Sequence, residues 1–227
     1  MAARIIEEPA YRERVLIFRD RRHAGKLLAQ KLKFIPKDRA LVLAIPAGGV
    51  PVGCEVAMEL GIPMNVIIVR KIQIPWDTEA GFGAITWDGE IVLNESLMKN
   101  LHLTKEMIER SIAKANISIQ ERLRKFRDRD FPDLNGKIAI LIDDGLASGF
   151  TMLAAARSTR KRNPEKIIIA APTGSSYAIK LLSPEVDEIV CLNIRSGAVF
   201  AVADAYQEWY DLSEEEVLEI LKKYWRS

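Results

Sequence analysis

Short apolar runs alternate along this chain with longer amphipathic stretches. Residues 41–45, 65–69, 138–142, 167–171 and 188–192 are aliphatic and β-branched, and turn residues bound them. Such runs predict strands covered on both faces. Between them the period lengthens. Ala24, Leu27, Leu28 and Leu32 recur at helical spacing behind Asp20, a residue suited to cap a helix over 20–33. A short helix over 52–60 closes at Gly61. A long one over 104–128 carries Ile108, Ile112, Ala115, Ile119, Leu123 and Phe126 on one stripe. Its charged remainder reads as a solvated face. Further helices are predicted over 152–162, 175–182 and, opened by Ser213 and three glutamates, within 209–223. One interval, 73–97, breaks the alternation. It holds an Asp88-Gly89 turn flanked by 85–87 and 90–93, a hairpin signal.

Strands alternating with helices predict an α/β fold: a doubly wound, five-stranded parallel sheet in the order 2-1-3-4-5. Ligands then bind beyond the first and third strands, where helices leave on opposite faces. The loop after the first holds Ala47-Gly48-Gly49. The loop after the third reads Asp143-Asp144-Gly145-Leu146-Ala147-Ser148-Gly149-Phe150-Thr151. Its first half is anionic and suits hydroxyls or a metal. Its second half opens a helix, whose free N–H groups suit a phosphate, helped by the Ser148 and Thr151 hydroxyls. A sugar phosphate satisfies both halves. The loop lacks the lysine of a nucleoside triphosphatase loop, and residues 48–53 have poor spacing for a dinucleotide fingerprint.

Composition narrows the classes. The length of 227 residues suits one domain over 1–227, and 48% hydrophobic with 28% charged residues is globular. A net charge of +2 argues neither for nor against a nucleic-acid surface, but a polyanion binder usually shows a stronger excess, and no nucleic acid is expected as partner. Cys54 and Cys191 are far apart and read as buried free thiols in a reducing compartment. Charges precede any apolar run at the start, so no secretory signal is expected. No run approaches the ~20 apolar residues that cross a bilayer. A cytoplasmic location without membrane attachment is expected. His23 and His102 have no metal-spaced partner and read as surface residues.

Residues 140–151, an apolar strand, two acids, small residues and Ser-Gly-x-Thr, resemble the phosphoribosyl pyrophosphate (PRPP) motif of type I phosphoribosyltransferases. The Pro-x-Gly-Gly-Val loop at 46–50 and Val69-Arg70-Lys71 fall where such enzymes have them, so the resemblance covers most of the chain. Phe18-Arg19-Asp20-Arg21-Arg22 with Ala24-Gly25, the run Gly81-Phe82-Gly83-Ala84-Ile85, and Val190-Cys191-Leu192 resemble an uncharacterised subgroup. The resemblance implies a core over about 40–195, a flexible hairpin over 77–95 that closes over the site, and a hood from 1–35 and 196–227. It implies a pentosyltransferase of nucleotide metabolism that moves 5-phosphoribosyl from PRPP to a nitrogenous acceptor, with a homodimer by fold analogy alone.

In that reading Asp143 and Asp144 hold the ribose hydroxyls. Gly145, Ala147, Ser148, Gly149 and Thr151 hold the 5-phosphate. Ala47 and Gly48 present N–H groups to pyrophosphate across a peptide that is often cis in the family, and Arg70 and Lys71 neutralise it. Mg²⁺ binds through the oxygens of PRPP, with no direct protein cage beyond Asp143 or Asp144. Replacing Asp144 by Asn is expected to weaken PRPP binding and leave the melting temperature nearly unchanged. Three departures stand out. Ala47 replaces an arginine common in the subgroup, Ala147 replaces an acid of the hypoxanthine-guanine enzymes, and Ala203 replaces a glycine. Glu79 becomes the candidate acid/base. Phe200 is expected to stack on the acceptor, with Trp209 and Tyr210 framing its pocket. The competing reading is a PRPP- or nucleotide-sensing regulatory protein with the same fold.

Overall fold

The computed structural model describes residues 2–126, 131–197 and 199–226. Its elements, in chain order, are β1 (Arg4–Ile6), α1 (Arg21–Lys31), β2 (Ala40–Ala44), α2 (Gly49–Leu60), β3 (Met64–Val66), β4 (Val69–Ile74), β5 (Asp77–Thr86), β6 (Ile91–Leu93), α3 (Glu95–Asn100), α4 (Lys105–Phe126), β7 (Ile138–Ile142), α5 (Phe150–Arg160), β8 (Lys166–Ser175), α6 (Ser176–Leu182), β9 (Glu188–Arg195) and α7 (Glu214–Arg226). Six parallel strands form the central sheet in the order β1-β9-β8-β7-β2-β3, and β4-β5-β6 form a second, antiparallel sheet. The five expected strands keep the order 2-1-3-4-5. The sixth, β1, adds beyond β9 and is too short to announce itself in the sequence.

The apolar alternation sorts into two cores. Val42, Ile140 and Ile168 pack with the α1, α2 and α7 side. Leu43, Leu141 and Ile169 pack with the α5 and α6 side. Each strand is thus apolar on both faces because each face is roofed by helices. β2 pairs with β7 so that Ala44 lies opposite Ile142, and the Ile45 N–H donates to the Ile142 carbonyl at 2.9 Å. The loops that follow these two strands therefore leave the sheet side by side.

Several boundaries differ from expectation for local reasons. α2 starts at Gly49, with Pro51 in its first turn, where a missing N–H costs nothing. The run 65–69 splits into the short β3 and the start of β4. The long helix runs from Lys105 to Phe126, with the Thr104 Oγ1 before it accepting from the Met107 N–H at 3.3 Å, and residues 127–128 of the expected span lie outside the described residues. The chain ends are stitched together: Phe18 N–H donates to Ala205 O at 2.9 Å, and Gln207 N–H to Phe18 O at 2.8 Å. Ser213 and Glu216 form a reciprocal capping box at the start of α7. Burial pushes the Cys54 and Cys191 thiols up to about 12. His23 is half-buried rather than on the surface, with its Nδ1 accepting from the Arg19 N–H.

The Asp88-Gly89 hairpin forms, with Ile85 opposite Ile91. Its root is core: Phe82, Ala84, Ile85 and Thr86 are buried. Ser158 Oγ ties Asp88 to α5 at 2.8 and 2.9 Å. The β4–β5 arm beyond Lys71 is more open: Ile74 is buried, but the tip carries Trp76 at 60% exposure. The segment 77–95 thus divides into an exposed arm and an anchored hairpin. Phe82→Ala should cost about 3–5 kcal/mol in urea unfolding. Trp76→Ala should stay within about 0.5 kcal/mol of the parent. Equal costs would contradict this division.

Candidate functional site

β7 brings Asp143 and Asp144 out of a strand buried along its whole length. Their carboxyl groups stay in hydrogen-bonding contact with each other, but they open onto different surroundings. Asp143 faces a cavity of about 340 Å³. Residues 145–152 form one wall, and Lys71, Glu79 and Ala80 of the arm line the other. At the mouth of the loop, Gly149 adopts φ 82°, a left-handed conformation that glycine takes without strain. No side chain caps α5. Among the described residues no loop or turn backbone partner takes the N–H groups of Ala147, Ser148 or Gly149. The loop is held from behind: Leu146 exchanges backbone bonds with Thr173 and Ser175 at 2.9 Å, and Ser175 Oγ donates to Ala147 O at 2.6 Å. Free donors at a helix start, with the positive end of its dipole behind them, form an anion receptor.

Asp144 turns the other way, toward α1. Its Oδ2 accepts from Arg21 Nε at 2.8 Å, with side-chain exposures of 13% and 9%. Arg21 Nη1 donates to Tyr210 O at 2.8 Å, and its guanidinium lies 3.9 Å from the Trp209 ring centre. The Tyr206 hydroxyl donates to the Asp144 carbonyl at 2.7 Å. The companion loop closes on the same carboxylate, since any side chain at Gly48 would collide with it. The Pro46–Ala47 peptide is cis, one residue before the Ala47–Gly48 bond expected. The Pro46 carbonyl accepts from Arg122 Nη1 at 3.1 Å, an α4 side chain also paired with Glu214.

The two carboxylates therefore differ electrostatically. Burial, and then the charge of Asp144, hold the Asp143 carboxyl well above the usual carboxylate range. Burial also raises Asp144, but Arg21 opposes it through charge and hydrogen bond. The expectation that Asp144 can be neutralised without structural cost is corrected by this ion pair. Among the described residues no cluster of three or more His, Cys, Asp or Glu could hold a metal.

The structure brings Asp143, Gly145, Ala147, Ser148, Gly149, Thr151, Lys71 and Glu79 to one cavity. Lys71 Nζ donates to the Glu79 carbonyl at 2.5 Å, tying the arm across its base. Arg70 is not brought there; it lines a separate cleft against α4. Ala47 and Gly48 sit on the Asp144 side. Phe200, Trp209 and Tyr210 do not meet at the cavity. Phe200 lies over Arg195, Trp209 stacks on Arg21 and lies 5.1 Å from Tyr206, and Tyr210 is 58% exposed. Of the hood residues, Val202 packs on Gly145, while Arg21 and Tyr206 reach Asp144. Arg21 and Tyr206 were missed as site residues. Arg21 did carry a signal: a cation in the first turn of a helix opposes the dipole and needs a compensating acid.

Residues 19–207 match the family model of the phosphoribosyl transferase domain. Two proteins named "putative phosphoribosyl transferase", from two Mycobacterium tuberculosis strains, are 37% identical over 208 residues, covering 91% of this chain and 47% of theirs. The chain thus spans about half the length of the curated relatives it matches. The crystal structure of TT1426 from Thermus thermophilus is similar at a TM-score of 0.73 and 33% identity, covering 92% of this chain and 99% of that one. The AQ2163 protein of Aquifex aeolicus, 14% identical over 82% of this chain and 78% of its own, shares the fold at a TM-score of 0.51.

Asp143 and Asp144 should respond to neutralisation with opposite signs. The folded state binds the Asp143 proton more tightly than the unfolded chain does. Its stabilisation is complete at low pH and is lost as pH rises through the raised value. Asp143→Asn fixes the neutral form, so it should raise the melting temperature at pH 7 and flatten that part of the stability profile. Asp144→Asn leaves Arg21 buried without its counter-charge and should cost about 3–5 kcal/mol. Thermal melts from pH 4 to 8 check both; shifts of the same sign would contradict the assignment.

Proposed function

This chain belongs to the phosphoribosyl transferase domain family, and we propose that it transfers the 5-phosphoribosyl group of PRPP to a nitrogenous acceptor, releasing pyrophosphate. The observation that carries this reading is a single cavity with a carboxylate, Asp143, beside an uncapped helix start and a cation, Lys71, opposite. The 5-phosphate of PRPP suits the N–H groups of 147–151 and the Ser148 and Thr151 hydroxyls. The ribose hydroxyls suit Asp143, which accepts hydrogen bonds when ionised. Asp144 supports the loop from behind, its charge met by Arg21.

In the reaction the C1–O bond to pyrophosphate breaks and its electron pair leaves with the pyrophosphate. The acceptor nitrogen forms the new bond to C1 and gives up its proton. The transition state is oxocarbenium-like, so its cost falls where the leaving charge is held and water is excluded. Lys71 on the arm stabilises the departing charge, and the arm over 74–81 is the wall that can close. Glu79, on the same arm, is the candidate carboxylate for the acceptor proton, and Ala147 supplies none. Mg²⁺ would be held mainly through PRPP oxygens, with Asp143 the carboxylate that lines the cavity, and would supply further charge neutralisation.

The acceptor pocket is proposed between the arm and Val202, the hood residue over Gly145, rather than at Trp209 or Tyr210. One observation favours a second reading, a PRPP- or nucleotide-sensing protein: Ala47 leaves the loop beside Gly48 without a side-chain cation. Pyrophosphate release from PRPP and Mg²⁺, measured across purine, pyrimidine and other nitrogenous acceptors, separates the two. The transfer reading expects release that depends on one acceptor class and falls at least tenfold in Lys71→Ala. PRPP binding without release for any acceptor would select the sensing reading.

A further inference from the structure

Outside the loop cavity, a cleft of about 560 Å³ lies between the β4–β5 arm and α4. This is within the range of small-molecule sites. One strip of α4, the helix face that the charge pattern marks as solvated, forms its wall: Met107, Arg110, Lys114, Ile117 and Glu121 fall at helical spacing. Arg70 and Lys71 line the opposite side from β4. Four cations thus face one carboxylate.

The cations are not neutralised by the protein. Lys71 is committed to the Glu79 carbonyl. Arg70, Arg110 and Lys114 make no hydrogen bond or ion pair with the described residues. Arg70 is half-buried. Its positive form is opposed first by burial and then by the neighbouring charge of Arg122, with Glu214 and Glu121 compensating only in part. A half-buried guanidinium beside another guanidinium is costly unless an anion joins it. Beside these charges the cleft exposes Met107 and Ile117, two large apolar side chains. Cations next to apolar surface suit a ligand that is itself divided into phosphate and ring.

We propose that this cleft is a second ligand site, distinct from the loop cavity, that takes a phosphate-bearing small molecule of the nucleotide class. Its phosphates lie against Arg70, Arg110 and Lys114, and its base lies along Met107 and Ile117. Arg70 and Lys71 are consecutive on β4, so a ligand in the cleft grips the arm whose other side walls the loop cavity. Filling one site therefore fixes a wall of the other.

Calorimetric titration of the full chain with ATP tests this, with tripolyphosphate as the base-free control. Arg110 and Lys114 are exposed on α4 and stand outside the proposed transfer machinery. The R110E/K114E chain should bind ATP at least tenfold more weakly than the parent with an unchanged melting temperature. Asp143→Asn, which alters the loop cavity, should leave ATP affinity as it was. Tripolyphosphate should bind more weakly than ATP. The proposal is overturned by no ATP binding at millimolar concentration, by R110E/K114E binding as well as the parent, by loss of ATP binding in Asp143→Asn, or by equal affinity for tripolyphosphate. None of these outcomes depends on PRPP turnover, so failure here leaves the transfer reading standing.

Discussion

Two adjacent carboxylates at the end of a strand buried on both faces must each find something to offset lost solvation, and here they find different things. Asp144 is met by Arg21 at 2.8 Å inside the protein. Asp143 accepts from the Asp144 N–H at 2.9 Å, touches the Asp144 carboxyl, which raises it further, and faces the cavity. One acid is spent on structure and the other is left at high energy, facing ligand space. That division gives the loop its chemistry: a carboxylate held in an unfavourable setting gains more than a solvated one from hydroxyls or a cation brought to it.

The same ion pair draws distant pieces of the chain onto the loop. Arg21 opens α1, Trp209 covers its guanidinium, the Tyr210 carbonyl accepts from its Nη1, and the Tyr206 hydroxyl donates to the Asp144 carbonyl. These aromatics lie behind the site, where they set the position of Asp144. The exposed arm then supplies what the rigid side lacks, a cation and a carboxylate on an element anchored only at its root. Rigid donors at the back and a movable charge at the front are what a transfer between two small molecules requires.

What was legible in the sequence was local or governed by connection rules. Residues 140–151 could be read because strand, acids, turn and helix start follow one another directly. The strand order followed from the doubly wound pattern that alternating strands and helices adopt. The Asp88-Gly89 turn was legible, but not that Phe82 and Ile85 are core, because that depends on helices far along the chain. The Arg21–Asp144 pair joins residues 123 apart. No periodicity encodes such a contact; the only trace was a cation at the wrong end of a helix. Phe200, Trp209 and Tyr210 could not be sorted between ligand stacking and packing, because an aromatic ring serves both equally well until its neighbours are known. β1 was missed because three residues carry no period.

The central claim is that the uncapped start of α5 receives the 5-phosphate of PRPP. Calorimetric titration with PRPP and Mg²⁺ of the parent chain and a Ser148→Ala, Thr151→Val double variant tests it most directly. Both hydroxyls lie outside the core, so the variant should melt as the parent does. The account predicts binding by the parent and at least tenfold weaker binding by the variant. Unchanged affinity, or no binding by the parent, would contradict it.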